Sequence, residues 1–186
     1  LTGHLVNGGA VNLNADTTFS TASGSYTNSG AGATFTIATG RTLTISGQSQ
    51  TLTQAGSTMT VNGTLSMASA TFTFNGGTLD GNAPVLLNSR LNLGALATDP
   101  ASFTLRGTAS TLSGDVKPGQ SLLLQGVSGL DHVTVNAVAA FANDGSIELT
   151  SASGSANATL VTPDPGLTNN GTLTVNAGAG GARVLT

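Results

Sequence analysis

The 186-residue chain contains no Cys, no Trp, a single Tyr and five Pro. It has one Lys, Lys117, and one Glu, Glu148, and charged residues make up only 7% of it, against about 25% in an ordinary soluble domain. Each shortage excludes something. Without Cys there is no disulfide framework and no Cys-ligated metal site. Helical proteins are built largely from Ala, Leu, Glu, Lys and Arg, and the last three are nearly missing. Five cations cannot form the basic patch that nucleic acid requires. No run of about 18 apolar residues exists, so no helical membrane span is expected. The net charge of −3, with regularly placed aliphatics, does not match the usual disordered composition. The first residue is Leu, with no charged leader before an apolar core. The expectation is a mature fragment or an excised piece of a longer chain.

What is abundant is Thr, Ser, Asn, Ala and Gly (26 of the last), set in short alternating runs. Thr34-Phe-Thr-Ile37, Thr42-Leu-Thr-Ile45, Thr58-Met-Thr-Val61, Thr71-Phe-Thr-Phe74 and Thr172-Leu-Thr-Val175 place apolar side chains on one face and Thr on the other. That pattern predicts half-buried strands. Runs close at Asn62-Gly63, Asn75-Gly76-Gly77, Ser46-Gly47 or Gln125-Gly126, where Gly supplies the positive φ of a sharp corner.

A longer unit also repeats. Leu5-Val-Asn7-Gly-Gly9-Ala-Val11-Asn-Leu13-Asn-Ala15 matches Leu167-Thr-Asn169-Asn-Gly171-Thr-Leu173-Thr-Val175-Asn-Ala177 at every defining position. Phe141-Ala-Asn143-Asp-Gly145 and Tyr26-Thr-Asn28-Ser-Gly30 are further copies, and Leu52-Thr-Gln54-Ala-Gly56 is a looser one. Neighbouring copies start far enough apart to fill a solenoid coil, and too far apart for a hairpin. A second copy of the chain following Thr186 would place its own template after Leu167 at a spacing of the same size.

The prediction is an all-β, parallel β-solenoid: a right-handed β-helix of about eight coils. It spans 1–186 as one domain, with longer, irregular connections over 82–120. Lys117-Pro-Gly-Gln120 should form a tight turn, and the two Pro of 162–166 should leave the ladder. Inward residues run from Leu5, Val11, Leu13, Phe35 and Ile37 to Leu167, Leu173 and Val175. Asn7, Asn28, Asn143 and Asn169, with Gly9, Gly30, Gly145 and Gly171, form the corners, and the Asn should ladder from coil to coil. Leu5, Val11 and Leu13 are expected to dock on Leu167, Leu173 and Val175 of another copy.

The Gly-Thr-Leu-Thr-Val-Asn run at 171–176 and its degenerate copies resemble the β-helical repeats of bacterial surface proteins. These include autotransporter passengers and filamentous-haemagglutinin-like giant adhesins. The resemblance covers most of the chain and is weakest between Asn82 and Gln120. It implies an elongated extracellular bacterial element, structural or adhesive, and it transfers no catalytic residue.

Candidate chemistry is sparse. His132 follows Asp131, but strand neighbours face opposite ways. Asp99, Asp115 and Asp131 are evenly spaced, at a step too short to stack in coils. No nucleophile elbow, calcium repeat or phosphate loop is present. The expectation is therefore a non-enzyme without metal or cofactor, whose partners are other copies of itself. Glycans or cell surfaces are the alternative, with Tyr26 and the 82–120 region as the place to look. The Thr-x-Thr pairs at 34/36, 42/44, 51/53, 58/60, 71/73 and 172/174 sit at different places in the template. They need not align, so an ice-binding face is less favoured, and a polysaccharide-degrading activity lacks the carboxylate cluster it would need.

Overall fold

A computed structural model describes residues 3–127, 129 and 132–186. The described chain is all-β and parallel, a β-solenoid whose elements never pair with their sequence neighbours. One sheet stacks nine strands: β1 (His4–Asn7), β4 (Gly24–Ser29), β7 (Gln50–Ala55), β10 (Thr71–Phe74), β13 (Arg90–Leu93), β15 (Ser110–Ser113), β17 (Val133–Ala137), β20 (Ala158–Val161) and β23 (Arg183–Leu185). A second stacks eight: β3 (Thr17–Phe19), β6 (Thr42–Ser46), β9 (Thr64–Ala68), β12 (Val85–Leu87), β14 (Ala101–Arg106), β16 (Gln120–Gly126), β19 (Ser146–Ser151) and β22 (Thr172–Val175). Between them along the coil lie a four-stranded sheet, β2 (Ala10–Leu13), β5 (Thr34–Ile37), β8 (Ser57–Val61) and β11 (Gly77–Gly81), and a two-stranded one, β18 (Phe141–Asn143) and β21 (Leu167–Asn169).

Register gives the relative coil lengths. His4 pairs with Ser25, Ser25 with Thr51, Thr51 with Thr71, Thr71 with Arg90 and Arg90 with Thr111. Of these coils the one from Ser25 to Thr51 is the longest and the one from Thr71 to Arg90 the shortest. The later pairings, Ser110–Val135, Val133–Ala158 and Ala158–Arg183, enclose coils of equal length. The two shortest coils, Thr51–Thr71 and Thr71–Arg90, each keep a strand on the third face, β8 or β11. Between β13 and β14, and between β15 and β16, no strand forms on that face, and both connections lie within 82–120.

Alternation does the packing. In β5, β6, β8 and β10 the Phe, Ile, Leu, Met and Val are fully buried and the Thr are half-buried. Phe35, Met59 and Leu79 share one inward column, and Leu43, Leu65 and Ile45, Met67, Leu86 build two more. Burying a side chain of this size contributes about 1.5–3 kcal/mol, so the stripe holds the coils together without cross-links. Tyr26 does not offer the exposed aromatic surface that its rarity suggested. It is 1% exposed and stacks on Phe19 with ring centroids 4.3 Å apart, because it holds the inward position between Leu5 and Leu52.

Four of the six Thr pairs stack on another pair. Thr34/Thr36 stack on Thr58/Thr60, and Thr51/Thr53 on Thr71/Thr73. Outward columns of Thr occur on all three faces, Thr42/Thr44 above Thr64/Ser66 included. The hydroxyls are thus distributed around the coil with no single face set apart. This is what strand propensity alone produces when half-buried outward sites favour Thr.

Gly24 marks a point where an added side chain would displace buried neighbours. A Cβ there would lie 2.5 Å from Gln50 Oε1 and 2.6 Å from the Tyr26 hydroxyl, both buried. Gly24→Ala is expected to lower stability by about 1–3 kcal/mol, measured by chemical denaturation. Gly32→Ala, with open space around it but a φ of +81°, should cost less, about 1 kcal/mol, because only backbone strain is added.

Candidate functional site

Two features of the stack stand out: the amide ladders at the corners and the exposed apolar residues of the outermost described coils. Asn7 closes β1 on the same inward face as Leu5. Its Nδ2 donates to Asn28 Oδ1 at 2.8 Å and to the Thr34 carbonyl at 2.8 Å. Asn28 repeats the arrangement one coil later, donating to Gln54 Oε1 at 2.8 Å and to the Thr58 carbonyl at 2.9 Å. A second ladder joins Asn143 Nδ2 to Asn169 Oδ1 at 2.7 Å and to the Thr172 carbonyl at 3.0 Å. Each amide ties a strand end both to the same corner of the next coil and to the start of the strand beyond it. The ladders have a direction, since every donor points to the later coil. At the first rung Asn7 Oδ1 accepts only its own turn's Gly9 N–H, and at the last Asn169 Nδ2 turns back to the Gly171 carbonyl at 3.4 Å.

The corner glycines serve two purposes instead of one. Gly30 has the expected positive φ, +112°. Gly145 and Gly171 do not adopt it. They are glycine because a Cβ on Gly145 would run into the Gln120 and Lys117 carbonyl oxygens, and one on Gly171 into the carbonyl of Gly145. Close coil-on-coil approach, not turn geometry, sets those two positions. Gly9 meets nothing within 4 Å.

The ends show core residues without a covering coil. Val175 stacks on Leu149 and Leu185 on Leu160. Their neighbours are 0% and 1% exposed, yet Val175 is 56% and Leu185 48% exposed. Leu160, Leu167, Asn169, Leu173 and Leu185 line an open hollow of about 360 Å³ at this end. At the opposite end Leu5, Val11 and Leu13 lie half-buried on Tyr26, Phe35 and Ile37.

The five template copies are divided between two sheets. Copies at Leu5, Tyr26 and Leu52 stack in the nine-stranded sheet, whereas those at Phe141 and Leu167 stack in the two-stranded one. The template encodes strand, corner and strand, and more than one corner of the coil accepts it. The first and last copies are therefore one face apart.

The titratable groups are dispersed. Asp16, Asp99 and Asp144 accept hydrogen bonds from Thr42 N–H, Gly77 N–H and Asn170 Nδ2, each at 2.8–2.9 Å and each on a neighbouring coil. His132 is exposed, and its Nδ1 accepts the Asn157 N–H at 2.9 Å. Asp131 lies outside the described residues. Among the described residues no three His, Asp or Glu side chains converge. Burial lowers the Arg106 guanidinium, whose Nε donates to Gln125 Oε1 on the adjacent coil at 3.1 Å. Asp115 accepts from the Ala142 N–H one coil away and from Lys117 Nζ, both at 2.9 Å. The backbone hydrogen bond first, and Lys117 second, hold the Asp115 carboxyl below the usual carboxylate range. The hydrogen bond to Asp115 raises Lys117. No protein-family model, curated protein or solved structure matches the chain.

Replacing Asn28 by Ala should cost about 2 kcal/mol, because Asn7 Nδ2 loses one of its two acceptors, the Thr58 carbonyl loses its side-chain donor, and Gln54 Oε1 keeps only the long 3.5 Å bond from Ser57 Oγ. Asn169→Ala, at the exposed end of its ladder, should cost less than half as much, and paired denaturation curves check the ranking. The pH dependence follows from the Asp115–Lys117 pair. A depressed carboxyl stabilises above its unfolded value of about 3.9 and loses that contribution as acid protonates it. A raised ammonium stabilises below about 10.4 and loses it in alkali. The contribution of this pair should be constant between those limits, and Asp115→Asn should flatten the acid limb of a melting-temperature profile.

Proposed function

We propose that this chain is a structural module, a stalk segment of an extracellular bacterial fibre or adhesin that extends by coil-on-coil stacking with further copies. The observation that carries the reading is the pair of inward-pointing residues, Val175 and Leu185, left half exposed above fully buried neighbours. A further coil would bury them as each coil in the body buries the one before.

The one-face offset between the terminal templates favours a second copy as that coil. The last described strands run β21, β22 and β23, on the third face, the eight-stranded face and the nine-stranded face in turn. A second copy turned by one face sets its β1 on β21, its β2 on β22 and its β3 on β23. Leu5 then falls on Leu167, Val11 on Leu173, Leu13 on Val175 and Asn7 on Asn169, continuing both the apolar columns and the amide ladder. The spiral proceeds without a missing strand. The low charge of the whole surface leaves this stacking little affected by salt, and the repeat grammar shared with bacterial surface proteins supports the setting.

Sedimentation and electron microscopy test the proposal. The single chain should form rods whose length grows with concentration and whose assembly is blocked by Val175→Lys. A genetic fusion of two copies should melt in one transition above that of the single copy. A monomer that persists at millimolar concentration, together with a fusion that melts as two independent units, would overturn the reading.

A further inference from the structure

The corner between the eight- and nine-stranded sheets carries an open groove of about 580 Å³. Its origin lies in corner length. Register makes Gly47, Ser69, Asn88 and Gly107 equivalent positions, each following a paired residue of the eight-stranded sheet. All four have positive φ, and among the described residues Ser69 (+53°) and Asn88 (+47°) are the only non-glycine ones to do so. Before the next strand pairing, at Thr51, Thr71, Arg90 and Thr111, the outer two corners need Gln48-Ser49-Gln50 and Thr108-Ala109-Ser110. The inner two need only Ala70 and Ser89. Two long corners therefore flank two recessed ones, and the recess opens outward.

The lining is polar and carries one charge. Gln48, Ser49, Thr71, Asn88, Thr108 and Thr111 surround Arg90, and no acid lines the groove. Arg90 is exposed, and its guanidinium has no ion-pair or hydrogen-bond partner among the described residues, where Lys117–Asp115 is the one salt bridge. Asn88 spends its Oδ1 on the Ala109 N–H at 3.0 Å and keeps its amide hydrogens free. No aromatic ring is present on which a base or an apolar ligand could stack.

We infer that this groove binds a carboxylated oligosaccharide, with the Arg90 guanidinium pairing one sugar carboxylate and the Thr, Ser, Asn and Gln side chains meeting ring hydroxyls. A planar guanidinium fork matches a carboxylate bidentately, and a row of neutral hydroxyl and amide groups matches a polyhydroxylated chain. A single cation on a protein of net charge −3 suits one fixed carboxylate per site and does not suit a polyanionic nucleic acid. The site lies on the side of the coil, so it is independent of what covers the ends.

Isothermal titration of the whole chain with defined oligogalacturonates tests this, with their methyl esters, a neutral glucan oligomer and a sulfated oligosaccharide as comparison ligands. The acid form should bind. Arg90→Gln should weaken binding about tenfold or more, the usual loss for a charge-assisted pair. Arg41→Gln, which removes an exposed cation elsewhere, should leave it unchanged, and circular dichroism should show both variants folded. Lack of binding by the acid form, equal binding by its methyl ester, an unaffected Arg90→Gln variant, or equal binding of the sulfated ligand as general ion capture would each overturn the assignment.

Discussion

The structure depends on one constraint: each coil's backbone hydrogen-bonding groups and apolar face are satisfied by the coils on either side. Among the described residues every strand pairing is parallel and joins positions one full coil apart. A coil alone buries almost nothing. Stability therefore arises from nearest-neighbour interfaces repeated along an axis, as in other repeat architectures. The amide ladders follow from the same constraint. A buried polar group at a corner is acceptable only if it finds a partner, and an amide side chain, Asn or Gln, at the same place in the next coil supplies one.

Much of this was legible in the residues, because alternation and coil-length repetition are local signals. Thr-x-Thr with Phe, Leu or Met between them is a half-buried strand wherever it falls, and Asn7, Asn28 and Gln54 could be placed in one column from spacing alone. What escaped was whichever property depends on the face. The copies at Leu5 and Leu167 look interchangeable in sequence, yet they occupy different sheets, because a strand–corner–strand unit carries no mark of which corner it turns. Tyr26 looked available for recognition through its rarity. Its position between Leu5 and Leu52 in the inward column decides otherwise.

The roles of Gly145 and Gly171 were also hidden. Turn chemistry and coil-on-coil proximity select the same residue, and only the position of the preceding carbonyl separates them. The groove beside Arg90 was hidden for a related reason. It exists because the corners after Gly47 and Gly107 are longer than those after Ser69 and Asn88, a difference that no motif expresses. Asp115 similarly gave no sign that its carboxylate would cap the Ala142 amide of the following coil.

The ladder hydrogen bonds all lie along the solenoid axis, which determines how such a body responds to tension. A load applied at its two termini acts on one outermost coil at a time, since each is held only by the neighbour beneath it. Peeling one coil of roughly 20–25 residues releases at most about 65–90 Å of extended chain and leaves the remaining stack intact. The molecule would yield in short, successive steps and act as a shock absorber instead of failing all at once.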